Sequence, residues 1–469
     1  MMKDTIVLYP SSGISHLVPM VELAQLLLTH NPSFSITVLI ATLPSDTAST
    51  ASYIAAVAAT TPSVNFHHLP TVSFPKPSGF PALFFEFMTL NNNNLRQTLE
   101  SMSQTSSIKA FIIDFFCNTS YEISANLNIP TYYFYTSGAN GLALFLYLST
   151  IDRNITKSLK DDLNIHIHVP GTPSFVASDM PLALLDRSTK VYHYFLDTAN
   201  QMAKSSGIII NTFKLLEPRA IKAISEGFCV PDAPTPPIFC IGPLVSSPKG
   251  AGGGGDEDEC LSWLNTQPSR SVVFLSFGSM GLFSSEQLKE IAIGLERSGV
   301  RFLWVVRMEE RKGETPQASL DSCLTKGFLE RTKDRGYLVN SWAPQVAVLS
   351  HDSVGGFVTH CGWNSILESI CAGVPMVAWP LYAEQKFNRV ILVEEFKVAL
   401  PVNQSENEFV SATELENRVT ELMNSEKGRA LRDRVTAMRE DAKAAMREGG
   451  SYRVELSKLV ESFKGAPLS

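Results

Sequence analysis

Paired cysteines are missing from this chain. Its seven cysteines, at 117, 229, 240, 260, 323, 361 and 371, are dispersed, and no two form a CxxC. An odd, scattered count argues against a disulfide framework and predicts reduced thiols in a cytoplasmic protein. A long basic run is also lacking, and the formal net charge is −7. Nucleic acid and anionic membranes are therefore not expected as partners. No stretch reaches the roughly 18 uninterrupted apolar residues of a membrane helix. The opening MMKDTIVLYPSSG places Lys3 and Asp4 before a short apolar run, so no secretory signal is expected. The closing GAPLS matches neither a lipidation nor a retention signal. The N-x-[ST] matches at Asn118, Asn154 and Asn403 are read as chance. No fixed-period repeat is visible. What is present is globular composition, 44% hydrophobic and 18% charged, which excludes a disordered chain. At 469 residues one core of ordinary size is exceeded, which predicts two domains.

Short apolar runs alternate with helical patterns. TIVLY (5–9), SITVLI (35–40), AFIIDFF (110–116), TYYFY (131–135) and GIIINT (207–212) read as buried strands. A second series follows: SVVFLSFGS (271–279), RFLWVV (301–306), YLVNSW (337–342), VGGFVTH (354–360) and PMVAWP (375–380). Continuous apolar strands separated by helices predict parallel sheets covered on both faces. Between the two series, IGPLVSSPKGAGGGGDEDE (241–259) replaces periodicity with Pro, Gly and acid and reads as a linker or mobile loop. The expected division is 1–240, a linker over 241–260, 261–445, and a C-terminal helix over 446–469. Two successive doubly wound α/β domains predict a ligand cleft between them, faced by the loops at the carboxyl ends of the strands.

Three motif matches fail on context. GAGGGG (250–255) satisfies GxGxxG but has neither a strand before it nor a helix after it. DED (256–258) resembles a metal-diphosphate signature yet sits in the same linker. HIH (166–168) has no further ligand cluster nearby and reads as a surface strand.

HCGWNS (360–365) is more informative. VGGFVTHCGWNSILESICAGVP reads as strand, tight turn, helix and exit at Gly373. Asn364 and Ser365, good N-cap types, stand at the helix start, where free N–H groups and partial positive charge make an anion site. Gly362 lets a ligand approach the backbone. Neighbouring strand residues point to opposite faces, so His360 is poorly placed to activate Cys361, which reads as a buried inert thiol. His360 itself is either a packed strand-end side chain or a phosphate donor.

The stretch WAPQVAVLSHDSVGGFVTHCGWNSILESICAGVPMVAWPLYAEQ, Trp342 to Gln385, closely resembles the nucleotide-sugar box of plant UDP-dependent glycosyltransferases. The similarity runs over essentially the whole chain. It implies the α/β GT-B architecture of two Rossmann-like domains, with the last helix returning to the first. Donor-site residues implied by it are Trp342 stacking on uracil, with the Ala343 backbone and Gln345 on its edge or the ribose. Glu368 would take the ribose hydroxyls. His360, Asn364, Ser365 and Ser279 would hold the pyrophosphate, beside Gly362, Trp363 and Tyr382. Glu384 and Gln385 would bind the sugar, with Thr136 reaching it from the other domain. Chemically, a planar base wants an aromatic face, a diol a carboxylate, and a diphosphate N–H groups and a cation.

His16 lies in the loop after the first strand, and Asp114 is a lone acid in a buried run that needs a partner. The expectation is that His16 is the general base and Asp114 accepts its other N–H; the family's catalytic pair maps onto these positions. A single displacement would invert the anomeric centre with no metal and no tightly bound cofactor. Gln385, and Trp363 where glucuronic-acid users carry Arg, favour UDP-glucose; Glu384 stands where Asp is commoner. The runs FPALFFEFM (80–88), DFF (114–116), YYFYTSG (132–138) and DMPLALL (179–185) suggest a pocket for a flat phenolic acceptor. The chain looks most like flavonoid, isoflavonoid and chalcone O-glucosyltransferases, and a monomer is expected. C- or N-glucosylation and other aglycones, terpenoid or simple phenol, stay open. A catalytically lost binding protein is opposed by the intact His16–Asp114 pair, and a Rossmann oxidoreductase by the misplaced GxGxxG.

Overall fold

The computed structural model describes residues 3–43, 47–74, 79, 81–245, 256–307, 323–340 and 342–465. Its contacts divide into two compact units, Met1–Val245 with Ala444–Ser469, and Ser246–Lys443.

The first unit contains β1 (Lys3–Tyr9), β2 (Ser35–Ile40), β3 (Val64–His68), β4 (Ser106–Asp114) and β5 (Thr131–Tyr135). A two-stranded hairpin, β6 (His166–Ile167) with β7 (Phe175–Val176), precedes β8 (Gly207–Ile210) and β9 (Ile238–Cys240). Apart from that hairpin the strands form one parallel sheet in the order β3-β2-β1-β4-β5-β8-β9. The expected apolar strands are all present. β4 starts earlier and stops at Asp114, and Phe115–Cys117 turn into a single 3-10 turn instead of extending the strand. β3 was invisible to the apolar pattern because VNFHH has one buried residue, Val64. HIH lies on the hairpin as a surface strand, with His166 and His168 exposed.

The second unit contains β10 (Val272–Ser276), β11 (Arg301–Val306), β12 (Gly336–Asn340), β13 (Val354–Thr359), β14 (Met376–Ala378) and β15 (Ala399–Pro401). They pair in parallel in the order β12-β11-β10-β13-β14-β15. β1, β10 and β13 are buried along most or all of their length, as strands covered on both faces must be.

Each sheet reverses its order once, between β1 and β4 in the first unit and between β10 and β13 in the second. Such a switch point leaves a crevice outside the carboxyl ends of the strands, the preferred ligand position in open α/β sheets. The carboxyl ends of those four strands and the segments that follow carry His16, Asp114, Gly278–Ser279 and His360–Gly362.

The last helix, Ser451–Ser462, packs on the first sheet: Leu456, Leu459, Val460 and Phe463 join its core with Ile6, Leu8 and Tyr132. Tyr132 donates its hydroxyl to Ser462 Oγ at 2.9 Å, and Phe463 meets the Tyr132 ring edge-on at 5.0 Å. Preceding it is the helix Glu426–Met446, so the terminal helix begins later than the expected 446. The expected linker is also shorter at its far end, because residues from Asp256 already form the helix Asp256–Asn265. DED therefore opens that helix, and GAGGGG lies outside the described residues. Among the described residues no helix is long and apolar enough to cross a membrane.

Candidate active site

In the first unit, β1 ends at Tyr9 and a short turn through Gly13, at φ 109°, starts the helix Ile14–His30. His16 occupies its first turn. Asp114, the last residue of neighbouring β4, points at it: His16 Nδ1 lies 2.8 Å from Asp114 Oδ2. Asp114 is fully buried and His16 keeps 17% of its side chain exposed, so the ring is gripped from inside and accessible from outside. The other oxygen, Oδ1, accepts the Phe116 N–H at 3.0 Å, which fixes the carboxylate at the strand end. A carboxylate only accepts, so Nδ1 carries a proton, and in the neutral imidazole Nε2 then carries the lone pair.

Aromatic rings enclose this pair. Phe84, Phe115 and Phe116 lie 6.5, 6.0 and 5.4 Å from the imidazole, ring centre to ring centre. Phe115 continues to Tyr135, Phe145 and Phe195, and Phe85 stacks on Tyr194. FFEFM, DFF and YYFY thus each place rings in this cluster. Sequence reasoning missed Tyr194 and Phe195; the aromatic run VYHYF (191–195) at the start of the helix Lys190–Met202 was the signal. Met180 and Leu184 of DMPLALL instead line a hollow with Leu148, Ile151 and Tyr192.

Thr136 follows β5 and is half-buried. Its turn is anchored by Glu217, whose buried carboxylate accepts the N–H groups of Ala139 at 2.7 Å and Asn140 at 2.8 Å and the Thr212 hydroxyl at 2.6 Å. Two of these are otherwise unpaired donors at the head of the helix Ala139–Leu146.

In the second unit the strand-turn-helix reading of HCGWNS is correct, with one correction. The cap is Gly362, without any side-chain bond, and Trp363 is already helical in Trp363–Ala372; Asn364 and Ser365 lie inside the first turn. The N–H groups of that turn consequently have no side-chain cap competing for them. Trp363 is buried, and the helix ends at Gly373 with φ 76°. Cys361 is fully buried, and burial pushes its thiol well above the ordinary range, so it is inert as expected.

His360 is packed at the strand end. Its ring is wedged against two glycines: an added Cβ would fall 2.6 Å from Nε2 at Gly278 and 2.4 Å at Gly362. Burial pushes the imidazole down to about 4, against a weaker opposite pull from the Ser276 backbone. At neutral pH His360 is uncharged, and it is not the cation that a diphosphate calls for. Ser279 is exposed in the turn after Gly278.

Trp342 is 49% exposed, which suits a stacking platform, and Ala343 beside it is buried. Gln345 opens the helix Gln345–Leu349 and donates from Nε2 to Ser365 Oγ at 2.8 Å and Glu368 Oε2 at 2.7 Å. Burial pushes the Glu368 carboxyl up to about 7, and the Gln345 bond opposes the shift. Gln345 thus ties itself to Ser365 and Glu368, 20 and 23 residues away in sequence. Gln385 is buried, and its carbonyl accepts the N–H groups of Leu381 and Tyr382, both at 2.9 Å. Glu384 precedes it as the cap of the helix Gln385–Val390. The Tyr382 ring stands 6.1 Å from that of His360. The structure therefore collects Ser279, Gln345, His360, Gly362, Asn364, Ser365, Glu368 and Tyr382 around the carboxyl ends of β10 and β13. Among the described residues no group of three His, Cys, Asp or Glu is arranged to hold a metal ion.

Residues 255–441 match the family UDP-glucoronosyl and UDP-glucosyl transferase. The chain is 54% identical to the anthocyanidin 5,3-O-glucosyltransferase of a Rosa hybrid cultivar, over 98% of this chain and 99% of the relative. It is 50% identical to isoflavone 7-O-glucosyltransferase 1 of Glycine max, over 99% and 100% respectively. The structure of Phytolacca americana UGT2 complexed with UDP-2fluoro-glucose and pterostilbene is similar with a TM-score of 0.86 at 37% identity, covering 98% of this chain and 100% of that one. Two Rossmann-like units of this topology are the GT-B fold, and the chain belongs to the UDP-glucoronosyl and UDP-glucosyl transferase family.

Proposed function

We propose that this chain transfers glucose from UDP-glucose to a hydroxyl of a flavonoid-type phenol, with inversion, giving a β-O-glucoside. The observation that carries the reading is the His16–Asp114 pair at 2.8 Å inside a wall of phenylalanines. A phenol packed on those rings presents its O–H to Nε2 of His16. As its oxygen attacks C1 of the sugar, the proton passes to Nε2 and the C1–oxygen bond to UDP breaks. Asp114 stabilises the imidazolium that forms. The rose and soybean relatives, named for anthocyanidin and isoflavone, support this acceptor class.

Trp342 receives uracil, Glu368 the ribose hydroxyls with Gln345 orienting it, and Glu384 and Gln385 the sugar, which Thr136 also binds. The N–H groups of the uncapped turn at Trp363, with Asn364, Ser365, Ser279 and the neutral His360, receive the charge of departing UDP. This mechanism assigns no part to a metal or a tightly bound cofactor. All seven cysteines are free thiols, which supports a cytoplasmic protein.

The test is incubation of the chain with UDP-glucose and a panel of flavonoids, isoflavones and simple phenols. The expected result is release of UDP with an acid-labile product whose anomeric proton shows β coupling. An acid-resistant product or an α-linkage would overturn the O-transfer or the inversion.

Glu368 adds a pH dependence. The ionised carboxylate accepts ribose O–H groups more strongly than the protonated form, which loses an acceptor site and its charge, so donor binding lowers a pKa that is raised to about 7 in the free protein. Binding then releases protons, and affinity for UDP-glucose is expected to fall by up to about tenfold per pH unit below 7. UDP-glucose itself does not titrate there, because its phosphates are diesters. Titration calorimetry from pH 5 to 8 measures the slope, which Glu368→Gln should flatten; an equal slope in the variant removes Glu368 from the ribose.

A further inference from the structure

The donor diphosphate carries two negative charges, and UDP gains another as it leaves. A helix N-terminus supplies about half an elementary charge, and His360, buried between Gly278 and Gly362, supplies none at neutral pH. The residues assigned above to the diphosphate therefore leave a charge deficit.

β11 lies directly beside β10, in parallel register from Val272↔Arg301 to Leu275↔Trp304. The chain leaves β11 at Val306, so the next residue, Arg307, emerges at the same sheet end as the turn after β10. It is half-buried there, and Nη1 donates toward the Gly278 carbonyl at 3.4 Å, long enough to be exchanged for a better acceptor. Gly278 is the residue whose Cα faces His360 Nε2. Burial raises the Tyr382 hydroxyl, and the Arg307 guanidinium is among the groups that pull it back, which places that cation near the ring facing His360. Among the described residues Arg307 has no ion-pair partner. A guanidinium on a short tether at the rim of an anion-binding turn presents a planar fork of donors that matches phosphate oxygens.

We propose that Arg307 is the cation of the diphosphate seat, binding the donor's phosphate oxygens and stabilising UDP as it leaves. This rests on the reading of the second unit as the donor domain. It assigns Arg307 a role in the glycine turn of β10 that HCGWNS alone does not fill.

The experiment titrates the full chain, and its Arg307→Gln and Arg307→Lys variants, with UDP and separately with uridine. Uridine keeps the contacts to Trp342, Gln345 and Glu368 but has no phosphate, so it controls for folding and for the base site. Arg307→Gln is expected to lower UDP affinity by on the order of 10- to 100-fold, with uridine affinity unchanged. Arg307→Lys should retain part of the preference for UDP, and added salt should weaken UDP binding more in the parent chain than in Arg307→Gln. If the parent prefers UDP over uridine and Arg307→Gln keeps that ratio, Arg307 is not the cation. Equal losses for both ligands would make it a structural residue and also overturn the inference. If the parent binds neither ligand, the donor-domain reading falls, and the inference with it.

Discussion

Alanine in place of His16 is expected to slow transfer to a phenolic hydroxyl by about 10²- to 10⁴-fold, the range typical of a positioned general base. UDP affinity should stay within about twofold, because every nucleotide contact assigned here lies in residues 279–385 and His16 belongs to the other unit. Asp114→Asn is expected to give a comparable loss by another route. The amide can turn its N–H toward Nδ1, and the ring then presents a proton instead of a lone pair at Nε2. The backbone bond from Phe116 to Oδ1 can persist in that variant, so the fold should survive. Steady-state kinetics with UDP-glucose and an isoflavone, alongside UDP titration, measures both. A variant that loses turnover and UDP binding together would indicate damage to the fold in place of a lost base.

Gly362→Ala should have the largest effect on the donor side. Its φ of −67° is ordinary, so the cost is steric, not conformational. The new Cβ would lie 2.4 Å from His360 Nε2, and the buried ring has little room to retreat, since even a Cβ added at Gly278 would fall 2.6 Å from the same nitrogen. Either the ring leaves its slot or the turn opens, at a cost of roughly 1–3 kcal/mol for an overpacked core. In both cases the Cβ occupies space through which a diphosphate would reach the helix N–H groups. With charge-assisted bonds to the phosphates lost, affinity for UDP-glucose should fall by about 100-fold or more, while uridine binding changes little. Gly299→Ala serves as the comparison. That glycine has φ 65°, so alanine strains the backbone, yet nothing lies within 4 Å of its added Cβ. It should lower the melting temperature and leave donor affinity alone. Equal donor affinities in the two variants would show that the tight contact at Gly362 has no part in binding.

Much of the architecture is legible in local pattern. Continuous apolar runs mark β1, β2, β5, β10, β11 and β13, because strands covered on both faces carry apolar residues throughout. In the two parallel sheets, the strands that escaped notice are the polar β3 and the three-residue β9 and β15. All three join their sheets by backbone pairing that side-chain pattern does not report. At the candidate site, residue types and the order of strand, turn and helix were readable in HCGWNS. The charge state of His360 was not, since its burial depends on Gly278, which is 82 positions earlier. The cap also differed from expectation: Gly362 takes that place, although Asn364 and Ser365 have the better capping chemistry, because the turn through Cys361, at φ 65°, delivers the chain into the helix two residues before an Asn364 cap would. Asp114 was legible as a lone acid in an apolar run. Its actual place at the strand end, where the chain turns, explains how a fully buried carboxylate can still reach a partly exposed histidine.

The central claim is that His16 takes the proton of the acceptor hydroxyl. The direct measurement is the ratio of His16→Ala to parent turnover across a series of substituted phenols, at one pH, with UDP-glucose saturating. A phenol already ionised at that pH needs no base, so the ratio should climb toward one as acceptor acidity rises and should be lowest for the least acidic phenols. A ratio that is equally low across the whole series would contradict the assignment, leaving His16 as a residue that shapes the site without moving the proton.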